Sequence, residues 1–128
     1  MELADVLDLA KPDIITHAAD DHPLEAVGLV FSDGSTRRLI DQARSPRRFS
    51  IARAQLEEVI AESGLSPICL YHSHPAGRAV PSTPDQRVMS SQATRAGLPV
   101  PFVILGVDGL RVWLWQDGAA REIQVPHV

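Results

Sequence analysis

An apolar run, Ile68-Cys69-Leu70-Tyr71, stops abruptly at His72-Ser73-His74-Pro75. A short apolar run bounded by turn residues reads as a central, buried strand. Residues two apart in a strand project from the same face. His72 and His74 would then leave the strand's carboxyl edge with both imidazoles aimed at one point, while Ser73 points away. Pro75, Gly77 and Pro81 make the following segment a stiff loop. Ser82 or Thr83 then caps a helix expected to reach about Ala96, with Pro84 and Asp85 in a first turn that favours both. The fold must hold this stretch, so the remaining elements are read around it.

Upstream, residues 4–10 could be a first strand or a short helix broken before Pro12 and are read as a strand; from Lys11 a helix follows on Ile14, Ile15, Ala18 and Ala19, with Pro12 in its first turn, and stops at Asp20-Asp21 before Pro23. Residues 24–31 read as a buried strand, Asp33-Gly34 as a hairpin turn and Thr36 to Ile40 as the returning strand. The Arg-rich segment from Asp41 to Ser50 is a connection whose Phe49 could join a sheet edge. A helix over residues 51–63 follows, with Ser50 as its cap and Gly64 as its stop. Downstream, the runs PFVILGV, LRVWLW and AREIQV, separated by Asp108-Gly109 and Asp117-Gly118, make a three-stranded meander. The order predicts one domain over residues 1–128 of the α/β class, a mixed sheet flanked by helices.

Twelve Lys and Arg against sixteen Asp and Glu give a net charge of -4, which argues against a nucleic-acid-binding surface. The sequence cluster Arg37, Arg38, Arg44, Arg47 and Arg48 is read as solvated strand and loop surface. One cysteine, Cys69, cannot pair within the chain, so nothing demands an oxidising compartment, and a core position suits it. The N-terminus lacks a signal-peptide pattern, and no run approaches a membrane span. A cytoplasmic protein is the expectation. No Gly-rich phosphate loop occurs. His17, His22 and His127 stand alone and receive no role. Trp113 and Trp115, at alternate-residue spacing, are read as packing on one face.

Two imidazoles and Asp85, returning from the helix's first turn, supply two nitrogens and a carboxylate oxygen. That ligand set suits a catalytic Zn²⁺ ion with a place left for water, whose pKa the metal lowers toward ~7. The water needs a base. Glu25 opens a predicted buried strand, where an unpaired acid is costly, and is the candidate. Ser82 could donate to a developing oxyanion or serve as a helix cap.

Glu25, then His72-Ser73-His74-Pro75, Ser82 and Asp85 reproduce the pattern Glu, gap, His-Ser/Thr-His-Pro, x6, Ser, x2, Asp. The chain thereby resembles the JAMM motif of the MPN-domain zinc metalloproteases, in their small stand-alone prokaryotic form. The resemblance implies the MPN fold, a curved mixed sheet similar to that of cytidine deaminases. It implies zinc on His72, His74 and Asp85, one ion per chain, with Glu25 moving the proton and Ser82 steadying the oxyanion. The Pro-Cys-x-x-Cys half of a deaminase site is missing. Members of this family cut isopeptide or peptide bonds after the Gly-Gly tail of ubiquitin-like proteins, and small prokaryotic relatives process sulfur-carrier proteins or occur in phage tail modules. A catalytically silent MPN scaffold, or a protein of phage-tail assembly, is the competing expectation. Oligomeric state stays open; the edge strand AREIQV could pair in a dimer.

Overall fold

The computed structural model describes residues 2–93 and 101–126. Helix α1 (Leu3–Asp21) leads into the hairpin β1 (Val27–Phe31) and β2 (Thr36–Arg38). A loop and helix α2 (Arg53–Ser63) precede β3 (Pro67–Ser73), and α3 (Thr83–Ala93) precedes the meander β4 (Phe102–Gly106), β5 (Gly109–Gln116) and β6 (Ala119–Ile123). The six strands form one sheet in the order β2-β1-β3-β4-β5-β6. Only β3 and β4 run parallel, as their crossover through α3 requires; the other neighbours are antiparallel. The expected mixed sheet flanked by helices is what the chain adopts.

Strand alternation sorts the core into two layers. Val27, Leu29 and Phe31 of β1, Leu70 of β3, and Phe102 and Ile104 of β4 share one face with Leu56 and Val59 of α2 and Met89 of α3. Trp113 and Trp115 pack together on this face, as their spacing predicts. Val30, Cys69, Tyr71, Val103, Leu110 and Val112 face the other way, onto Val6, Leu7, Ala10 and Ile14 of α1. Both faces of β1 and β3 are covered, which is why these strands read as continuous apolar runs. Cys69 is buried and its thiol is pushed up to about 12 by desolvation, so it is an inert core residue.

Three local expectations fail. Residues 4–10 are not a strand but the first half of α1. Val6, Leu7, Ala10, Ile14 and His17 fall on one helical stripe against the sheet, and that burial outweighs the break expected at Pro12, which lies inside the helix. Helix α2 is not capped by Ser50. Its N-cap is Ala52, without a side-chain cap bond, because the loop retains Ser50, whose N–H donates to Asp41 Oδ1 at 2.8 Å. Phe49 joins no sheet edge and instead turns inward. The expected end of α3 near Ala96 lies outside the described residues, as does His127. Gly64 stops α2 in the left-handed region at φ 65°, as expected. No helix among the described residues is long and apolar enough to cross a membrane.

Candidate metal centre

The carboxyl end of β3 sits between β1 and β4, so its last residues meet two other chain segments. His72 pairs with Val27 in register, which brings Glu25 beside it just ahead of β1. Ser73, between the two histidines, does not simply point away. Its Oγ accepts the Ala26 N–H at 2.8 Å and its N–H donates to Ala26 O at 3.0 Å, so the residue next to Glu25 is bound at both polar groups. The Glu25 N–H donates to Ser45 O at 3.1 Å. Helix α3 supplies the last carboxylate. Ser82 is its cap: the Asp85 N–H donates to Ser82 Oγ at 3.1 Å, and the Ser82 N–H donates back to Asp85 Oδ2 at 3.0 Å. This reciprocal pair is a capping box with Asp in the Glu position. Accepting that bond leaves the Ser82 hydroxyl proton to donate elsewhere.

One ligand atom from each of Glu25, His72, His74 and Asp85 lies within 4.8 Å of all the others. Nε2 of His72 and Nε2 of His74 each approach Asp85 Oδ2 at 3.0 Å. His74 Nδ1 lies 2.8 Å from Arg78 O, and since a carbonyl only accepts, Nδ1 carries the proton. With that proton on Nδ1, a neutral ring would present its lone pair at Nε2 to a carboxylate oxygen. Two acceptors face one another there, an arrangement that calls for a proton or a cation between them. Both Glu25 oxygens, His72 Nδ1 and Asp85 Oδ1 are buried with no partner. Buried polar atoms are rarely left so, and the donor set, two imidazoles with hard carboxylate oxygens, fits a divalent zinc ion.

Electrostatics follow from burial and from these contacts. Desolvation, then the charge of Asp85, pushes the Glu25 carboxyl from 4.5 up to about 8. Burial works against ionised Asp85 too, but the charge of His72 and the bonds from both imidazoles outweigh it and hold Asp85 far below the usual carboxylate range. Burial lowers His74, yet its bonds to Asp85 and Arg78 O leave it raised overall.

Access is uneven. Glu25, His72 and Asp85 are 2%, 0% and 1% exposed, whereas the His74 side chain is 12% exposed. Phe49, which the sequence placed at a sheet edge, packs its ring 4.7 Å from that of His72 and walls the centre off. A lone aromatic in a polar Arg-rich segment was the available signal. Phe49 also lines a cleft of about 340 Å³, together with Ile51, Leu56, Leu70, Val88 and Gln92. A second cleft of about 340 Å³ is lined by Glu25 with Asp20, Asp21, Asp41 and Arg44. Arg37 and Arg38 pair with Glu62 and Asp20 at the surface, the solvated role expected of them.

A mixed sheet with a two-histidine, two-carboxylate cluster at the end of its central strand defines the class of protein. The family profile described as prokaryotic homologs of the JAB domain matches residues 11–116, and the chain belongs to that family, the prokaryotic branch of the JAB/MPN fold. A curated relative from Thermus thermophilus is 39% identical over 61 residues, 48% of this chain and 36% of the relative, and is named a probable TtuB-protein conjugate cleaving protease. The match thus spans about a third of that relative's length. A Desulfitobacterium hafniense protein solved in solution shares the fold with a TM-score of 0.70 at 25% identity, over 91% of this chain and 86% of its own.

Proposed function

We propose that this chain is a zinc-dependent peptidase or isopeptidase that hydrolyses an amide bond after the C-terminal tail of a ubiquitin-like or sulfur-carrier protein. The observation that carries the proposal is the buried, unpaired Glu25 carboxylate beside His72, His74 and Asp85. The protease name of the Thermus relative, which refers to TtuB conjugates, supports the substrate class.

His72, His74 and Asp85 would hold the zinc. Bound there, the ion supplies Lewis acidity to a water and to the scissile carbonyl. Glu25 receives the water's proton and returns it to the leaving nitrogen. In the metal-free site it prefers to be protonated, and a nearby divalent cation favours its ionised, basic form. Ser82 donates its hydroxyl proton to the carbonyl oxygen as that atom gains charge; the Asp85 N–H on Ser82 Oγ orients it. Phe49 keeps bulk water from His72.

The test is incubation with ubiquitin-like proteins bearing an extension after Gly-Gly. Cleavage after the second glycine, abolished by a chelator and restored by zinc, is the expected result. Intact substrate throughout, with zinc-loaded protein, contradicts the proposal.

A further inference from the structure

The stiff loop after the histidines is held from behind by residues that touch no ligand. Arg78 O takes the His74 Nδ1–H at 2.8 Å and so decides which imidazole nitrogen faces the centre. The next residue, Ala79, is fully buried and bound at both backbone groups by side chains of the β4–β5 hairpin. Its N–H donates to Asp108 Oδ1 at 2.6 Å, and its carbonyl accepts the Trp113 indole N–H at 2.8 Å. The Val107 N–H donates to Gly77 O at 2.8 Å. Gly106 lets the two backbones meet. A Cβ there would overlap Ala79 N and lie 2.6 Å from Arg78 C and 2.7 Å from Gly77 O. Arg111 braces the far oxygen of Asp108 at 3.2 Å.

We propose that Asp108 and Trp113 are positioning residues for the metal centre: by fixing the Ala79 peptide they hold Arg78 O against His74 and keep its Nε2 lone pair turned to the metal. The inference rests on the zinc reading above. Partners that orient a ligating histidine are typically worth 10–100-fold in metal affinity. The Asp-Gly pair at 108–109 is thus more than a hairpin turn; its aspartate carries the bond.

The experiment measures zinc affinity by competition with a chromophoric chelator for the wild type, Asp108→Ala, Asp108→Asn and Trp113→Phe, alongside the melting temperature of each metal-free protein and the His74 tautomer by nitrogen NMR. Asp108→Ala should bind zinc about 10–100-fold more weakly, with a mixed His74 tautomer in a metal-free protein that still folds, its melting lowered by up to about 10 °C by the stranded Ala79 N–H. Asp108→Asn, which keeps an acceptor oxygen, should restore both. Wild-type affinity and tautomer in Asp108→Ala overturn the inference, as does equal weakening in Asp108→Asn. Should Asp108→Ala not fold, Trp113→Phe reads the same effect, and wild-type affinity and tautomer there overturn it. Absence of zinc binding in the wild type would sink the site reading itself, whereas tight zinc in all four proteins sinks only this inference.

Discussion

Glu25 is ionised in the unfolded chain above about pH 4.5 but holds its proton in the metal-free fold up to about 8. Between those values the folded state binds more protons than the unfolded one, so Glu25's contribution to stability is full at the lower end and is lost as pH rises. His74, also raised, acts in the same direction above 6.5. Metal-free protein should therefore lose stability between pH 5 and 8, by at most about 1.4 kcal/mol per pH unit for each group. Melting curves across that range check it, and Glu25→Gln should flatten most of the dependence, leaving the His74 contribution and the opposite one of His17, which burial holds low. Zinc bound there would displace these protons, so its affinity should instead rise with pH.

At the scale of elements, Ser73 ties β3 to the segment that carries Glu25. Ser73→Ala strands the buried Ala26 N–H and should cost about 1–3 kcal/mol; Ser73→Thr, with the same oxygen, should stay close to wild type. Denaturant unfolding of both variants measures the difference. The strand that delivers the two histidines at its carboxyl end, the capped helix bearing Asp85 and the Asp-Gly hairpins were legible because each rests on local periodicity or turn chemistry. The first half of α1 was not, since Pro12 argued locally against a helix that only packing on the sheet stabilises. Glu25 was legible as an acid in an apolar strand, and its approach to the histidines is the work of β1–β3 pairing. The inward turn of Phe49 and the grip of Asp108 and Trp113 on Ala79 are contacts between segments far apart in the chain, and spacing carries no trace of them.

For the whole molecule, a site built from β3, α3 and the approach to β1 couples metal binding to the fold, because the unfolded chain cannot bring these residues together. Zinc at a hundred times its Kd should stabilise the protein by about 2.7 kcal/mol, raising the Tm by about 10 °C for a chain of this size. Calorimetry with and without zinc, and after chelation, reads it directly. On the proposed reading, the metal cluster and Glu25 together make a hydrolase. That reading is tested by measuring zinc content and cleavage of a Gly-Gly-tailed ubiquitin-like fusion on the same preparations of wild type and Glu25→Gln. Both proteins should hold one zinc per chain, with cleavage lowered about 10²–10⁴-fold in the variant; cleavage at the wild-type rate by zinc-loaded Glu25→Gln would rule out Glu25 as the base.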